Sequence, residues 1–213
     1  MDNQQRGIRN TIFVIVIFMA AVVCGFIWRM GQPVIMSKEE LLVNGAVLLS
    51  TPRKFSDFEL VDHNGDAFSL KNLNDQWSIL FFAFTNCPDI CPTTLSTLAN
   101  MYSKLDVEEQ KNLQVIMVSL DVERDTVDKL AGYVPYFHDE FVGVTGNRHF
   151  VRRLTAELNI AYSRVDIGVD NYTIDHSTQL LLINPNGHYH AFFKAPHTEI
   201  ALRQTWRSIK ALF

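Results

Sequence analysis

Cysteine is scarce in this 213-residue chain: there are three, at positions 24, 87 and 91. Basic runs are missing as well. The 19 Lys and Arg are outnumbered by 23 Asp and Glu, the formal charge is −4, and no cation cluster offers a surface for nucleic acid. There is no internal repeat and no low-complexity segment. No glycine-rich loop cradles a phosphate, no Ser-His-Asp pattern is present, and no carboxylates are paired for acid–base work. Hydrolase and nucleotide-binding chemistries are therefore left without their residues.

Charge is absent altogether from one stretch, TIFVIVIFMAAVVCGFIW over 11–28. At about 1.5 Å per residue it reaches roughly 27 Å, close to the hydrocarbon thickness of a bilayer. It is long for a cleavable signal, and no small-x-small site follows it; the next residues are Arg29, Met30 and Gly31. Val23 before Cys24 suits a lipoprotein cleavage site poorly. The reading is a short tail over 1–10, an uncleaved transmembrane anchor over 11–30, a linker over 31–53 and one domain over 54–213. Arg6 and Arg9 before the span balance Arg29 and Lys38 after it, so charge alone leaves the orientation open.

Beyond the linker, strand and helix patterns alternate. FELVDHNGDAFSL reads as a hairpin around Asn64-Gly65. The apolar run over 77–84 predicts a buried strand. Leu95, Leu98, Met101, Tyr102 and Leu105 predict a helix over 92–105. LQVIMVSLD (113–121) predicts a second buried strand, and 126–137 a helix with Asp125 as its N-cap. A short strand over 141–145, a helix over 149–158, a hairpin around Asn184-Pro185-Asn186-Gly187 and a helix over 198–212 complete the pattern. The expected fold class is α/β, a mixed central sheet flanked by helices.

Two of the three cysteines sit together in FFAFTNCPDICPTTL, where the first buried strand gives way to a helix. Ligand and catalytic sites favour this end of a strand. The helix N-terminus offers unpaired N–H groups and a positive dipole end, so lowered thiol pKa values are expected. Residues four apart share a helix face. Cys87 and Cys91 would then point outward into one site, to join as a disulfide or to grip one ion. The plainer alternative is a pair of buried thiols or a local bridge.

Two sulfurs seldom complete a metal site. Of seven histidines, His63, His138 and His149 fall in turns or beside loops and read as solvated. His188 and His190 read as polar surface beside a hairpin tip, and His197 as a neighbour of the last helix cap. His176, in YTIDHSTQLLLI, lies just before an apolar strand that can approach the cysteine-bearing helix. Asp175 is the candidate to orient its ring. Two thiolates and an imidazole suit Cu(I) or Zn(II), and no fourth Cys or His is evident for structural zinc. Asp121, at the end of 113–121, is the carboxylate best placed to add an oxygen; capping its own strand is the alternative.

FTNCPDICPTTL, SLDVERDT and YTIDHSTQLLLINPNG together resemble the Sco (SenC) family of copper-binding assembly proteins. The resemblance covers about 54–213 and implies a thioredoxin-like fold. It further implies a copper chaperone for the binuclear copper centre of cytochrome c oxidase. Its expected partners are the copper-bearing oxidase subunit and other copper chaperones, with no nucleic acid. The family's cysteine ligands fall on Cys87 and Cys91, its histidine ligand on His176 and its acidic position on Asp121. Val122 departs from the proline usual in that last motif. Family topology breaks the orientation tie, placing the domain outside the cytoplasm, and the short N-terminus points to a bacterial inner membrane.

Metal-free thiol–disulfide exchange at Cys87 and Cys91, reducing the oxidase cysteines, is the alternative. The absence of a proline at Asp175-His176-Ser177 favours copper over it. A peroxidase would need an activating arginine, for which Arg124 is the sole candidate.

Overall fold

The structure, a computed structural model, describes residues 2–30, 35–169 and 171–213. It divides into two units, Met1–Ile35 and Met36–Phe213.

The first unit is one helix, α1 (Asp2–Met30). Its segment Gln5–Arg29 is long and apolar enough to cross a membrane, and none of its most apolar window is buried. Side chains such as Phe13, Phe18 and Trp28 face outward, which a soluble core helix would not tolerate. Residues 2–10, the expected short tail, continue the same helix.

The second unit runs, in chain order, α2 (Lys38–Val43), β1 (Ala46–Arg53), β2 (Leu60–Asp62), β3 (Ala67–Phe68), a 3-10 turn (Leu70–Leu73), β4 (Trp77–Ala83), α3 (Ile90–Tyr102), α4 (Val107–Lys111), β5 (Leu113–Ser119), α5 (Val127–Tyr133), β6 (Val142–Gly146), α6 (Arg148–Glu157), β7 (Tyr162–Gly168), β8 (Asn171–His176), β9 (Leu180–Ile183), β10 (Tyr189–Phe193) and α7 (Glu199–Leu212). Eight strands form one sheet in the order β1-β10-β9-β4-β5-β6-β2-β3. β4, β5 and β6 are parallel, and the remaining pairs are antiparallel. This is the mixed sheet the alternation predicted. Every residue of β4 is buried, as an apolar run covered on both faces requires. β7 and β8 stand apart as a two-stranded ribbon.

Two expectations are corrected. The proposed linker over 31–53 is in large part structured; its residues 31–34 lie outside the described ones. α2 starts with a reciprocal capping box between Ser37 and Glu40 and buries Leu41. β1 pairs with β10, Ala46 opposite Phe193 and Leu48 opposite Ala191. An edge strand that buries one residue fully carries no clean alternation, so its sequence reads as irregular. The helix after β5 is capped by Thr126, not Asp125; the Thr126 hydroxyl accepts from Lys129 N. Asp125 turns inward and accepts from Thr85 N (3.1 Å), Thr85 Oγ1 (2.5 Å) and Ser119 Oγ (2.7 Å). It thereby ties the ends of β4 and β5 together.

Candidate metal centre

β4 delivers the chain to the site. Past Ala83 it turns, with Cys87 N donating to Phe84 O at 3.2 Å, and α3 begins at Ile90 behind Asp89. Pro88 therefore precedes the helix, where its missing N–H costs nothing. Cys91 N donates to Cys87 Sγ at 3.4 Å, so the first sulfur caps the first turn. Both thiols are free.

The sulfurs do not point outward as expected. Cys87 is 9% exposed and Cys91 fully buried. The expected lowering of the thiol pKa is reversed at Cys91. Burial raises it far above the ordinary thiol value, the Cys87 thiol adds to the rise, and a backbone hydrogen bond at Phe84 offsets part of it. Desolvation of a thiolate outweighs the helix end here.

His176 closes β8 and is brought against this pair. Its Nε2 lies 3.7 Å from Cys91 Sγ, and its Nδ1 lies 2.9 Å from Ser177 O. A carbonyl only accepts, so Nδ1 carries a proton, and in the neutral ring the Nε2 lone pair faces the sulfur. The ring meets Phe84 edge-on, centroids 6.0 Å apart. Asp175 does not orient the ring; it is exposed, and the Ser177 carbonyl holds Nδ1 instead. A cleft of about 320 Å³ separates Cys87 and Ile90 on one wall from Ile174 and His176 on the other.

Asp121 is engaged elsewhere. It is 3% exposed. Its carboxylate accepts from Tyr172 Oη (2.7 Å) and pairs with Arg124. It lines a separate cavity of about 340 Å³ with Glu123, Arg148 and Arg152. Its backbone carbonyl accepts from Arg124 N and Asp125 N, so it does close the turn after β5.

Four of the other histidines are held by contacts of the fold. His63 Nδ1 accepts from Gly143 N at 3.0 Å, and His138 stacks on Phe141. His149 is exposed beside Phe150. His188 is half-buried. His190 is half-buried against Trp77 and Phe213, not free polar surface. His197 Nε2 donates to Thr178 O at 2.9 Å.

Among the described residues no three His, Cys, Asp or Glu side chains are gathered closely enough to hold an ion as they stand. The donor chemistry nevertheless fits a soft cation. With metal–sulfur and metal–nitrogen bonds of about 2.3 and 2.0 Å, a trigonal angle sets S···N at roughly 3.7 Å. That is the Cys91–His176 separation. The Cys87 sulfur, which accepts from Cys91 N, adds a second thiol to this donor set.

The SCO1/SenC family model matches residues 48–211. The chain belongs to that family. A Stutzerimonas stutzeri relative is 37% identical over 162 residues, covering 76% of this SCO1/SenC chain and 79% of that protein. The structure of Arabidopsis thaliana ScoI with copper bound superposes with a TM-score of 0.70 at 29% identity, covering 75% of this chain and 99% of that one. Apo Sco1 from Thermus thermophilus gives 0.68 at 32%, covering 78% and 95%. The fold is the thioredoxin-like fold of these Sco structures. The family match begins inside β1, in keeping with that strand's place in the sheet.

Sequence reasoning missed the residues that bind β8 to the body of this SCO1/SenC domain. The Tyr172 ring lies between the guanidinium groups of Arg124 (3.6 Å) and Arg164 (3.7 Å). The signal was present: Tyr172, Ile174 and His176 alternate, so they share one strand face.

Proposed function

We propose that this chain is a membrane-anchored copper carrier. Cys87, Cys91 and His176 hold the ion, which is delivered to the binuclear copper centre of cytochrome c oxidase. The observation that carries this reading is the Nε2 lone pair of His176 at 3.7 Å from Cys91 Sγ, its tautomer set by the Ser177 carbonyl. A neutral imidazole and two sulfurs form a soft donor set suited to Cu(I). The copper held by the Arabidopsis ScoI structure supports the same cargo.

The residues divide the work. Cys91 N holds the first sulfur until it turns toward the ion. Phe84 and Ser177 fix the imidazole plane, which lowers the cost of ordering it on binding. Both thiols lose their protons as they ligate, so uptake releases protons. Three protein ligands beside an open cleft leave room for an incoming acceptor ligand before one departs. Asp121, paired with Arg124, is not among the ligands in this arrangement. The proposed setting is a bacterial inner membrane, α1 spanning it and the domain outside the cytoplasm. The partners are the copper-bearing oxidase subunit and other copper chaperones.

The test is anaerobic Cu(I) titration of the full chain in detergent micelles against a competing chelator, with X-ray absorption of the loaded protein. One copper per chain bound by sulfur and nitrogen is expected, with His176→Ala weakening the site about tenfold or more. No stoichiometric binding, or binding unchanged in His176→Ala, rejects the reading.

A second reading rests on Cys87 standing at the cleft with Cys91 behind it. The two thiols would pass two electrons and two protons to an oxidase disulfide and close a bridge of their own. Reduction of that disulfide by the metal-free chain, unaltered in His176→Ala, would favour it.

A further inference from the structure

The β7–β8 ribbon belongs to a sheet of its own, so the position of His176 depends on how the ribbon is fastened. One face of β8 does the fastening. Tyr172, Ile174 and His176 alternate along the strand, and all three point at the C-terminal edge of the parallel strands. Ile174 is 8% exposed and joins the core. His176 meets Cys91 in the turn after β4. Tyr172 meets the turn after β5: its hydroxyl donates to Asp121 Oδ1 at 2.7 Å and its carbonyl accepts from Arg124 Nη1 at 3.0 Å. The ring is clamped between Arg124 and Arg164, one from the body and one from β7. Asp121 and Arg124 are themselves paired. Three side chains, those of Asp121, Arg124 and Arg164, thus converge on a single tyrosine about 13 Å along the strand from the imidazole.

We propose that Tyr172 is a positioning residue for His176. By latching β8 to Asp121 and Arg124, it holds the imidazole on Cys91. The proposal deepens the copper-binding reading and rests on it for its purpose. The latch itself is a property of the metal-free chain and is tested without metal.

The experiment is a double-mutant cycle in the full chain in detergent micelles, with Tyr172→Leu and His176→Ala singly and together. The reduced, metal-free protein is treated with iodoacetamide, and alkylation at Cys91 is resolved by peptide mass spectrometry. His176→Ala removes the ring over the sulfur and speeds alkylation. Tyr172→Leu is expected to speed it about tenfold in the parent and less than about twofold in the His176→Ala background, the scale of a lost hydrogen bond with a lost cation–π clamp. Tyr172→Phe, which keeps the clamp, is expected to fall between parent and Tyr172→Leu, and it decides the matter if Tyr172→Leu does not fold. Equal acceleration in both backgrounds would mean general loosening and overturn the proposal, as would no acceleration. The same cycle read as Cu(I) affinity should show the same non-additivity. If copper does not bind at all, the alkylation cycle still decides on the latch, and only the copper reading falls.

Discussion

Asp125 shows how one side chain sets a loop. It is fully buried and accepts from the Thr85 amide and hydroxyl and from Ser119 Oγ, with Lys129 Nζ at 3.6 Å. Thr85 opens the turn that leads to Cys87. Asp125→Ala strands the buried Ser119 hydroxyl and two half-buried Thr85 donors and is expected to cost about 2–4 kcal/mol in urea denaturation. Asp125→Asn, which keeps an acceptor oxygen, should cost less, and loss of the adjacent helix cap in Thr126→Ala only about 1 kcal/mol. A cost for Asp125→Ala no larger than the cap's would mean that water replaces the carboxylate. Titration at other single residues gives a pH prediction. Burial lowers the pKa of His190 and of His197 below the ordinary 6.5, the Thr178 hydrogen bond opposing part of the shift at His197. The unfolded chain takes up these protons near pH 6.5 while the folded chain resists them. Stability is therefore full above that pH and lost as pH falls through the folded values. The urea midpoint is expected to drop between about pH 7 and pH 5, and His197→Gln should flatten the drop; an unchanged slope would assign it to other groups.

At the scale of elements, legibility followed burial. β4 and β5 are almost wholly buried and mostly apolar because helices and neighbouring strands cover them, so their sequence could mean little else. α3 and α7 showed their helical spacing for the same reason. β1, β7 and β8 were obscure because edges and ribbons bury few residues and leave alternation weak: β7 has no buried residue. The candidate site was legible in type, since Cys87, Cys91 and His176 were singled out from the chain alone. Its setting was not. Whether a helix end lowers a thiol pKa or burial raises it depends on what packs above the sulfur, and here that is a ring 85 residues further along. Asp121 is legible in the same partial way: its place at the strand end can be read from sequence, and its Arg124 and Tyr172 partners cannot. Packing between elements also dictates a residue whose reason sequence conceals. A Cβ placed on Gly143 of β6 would lie 2.7 Å from Val134 Cγ2 and 3.3 Å from Leu130 Cβ, so α5 sits directly on the glycine. Gly143→Ala is expected to cost about 1–3 kcal/mol as an overpacking change. Val134→Ala, itself destabilising, should recover part of that cost when combined with it. Strict additivity in the denaturation cycle would show that α5 shifts freely instead.

For the whole molecule, the boundary that matters is where the sheet begins. The eight-stranded sheet has two edges, β1 and β3. β3 is two residues long and offers little to a stray strand. β10 would offer far more, because it pairs along its length and buries Tyr189, Ala191 and Phe193. β1 covers it, and two further contacts brace that cover: Arg53 lies over the Tyr189 ring at 5.2 Å and donates to Glu157 O at 2.9 Å. Ahead of β1, Leu41 is fully buried and Met36 N donates to Ser208 Oγ at 3.1 Å, so the segment before the strand is packed as well. A chain shortened to begin at Met36 loses α1 and keeps every one of these contacts; it is expected to be soluble and monomeric by size-exclusion chromatography. A chain beginning at Lys54, the boundary suggested by sequence pattern, uncovers β10 as a long apolar edge with unpaired N–H and C=O groups, a template for intermolecular pairing. It should elute as oligomers or precipitate at concentrations where the longer form is monomeric, and unfold at lower urea. If both forms were equally monomeric and equally stable, β1 would be an ornament on a sheet complete without it.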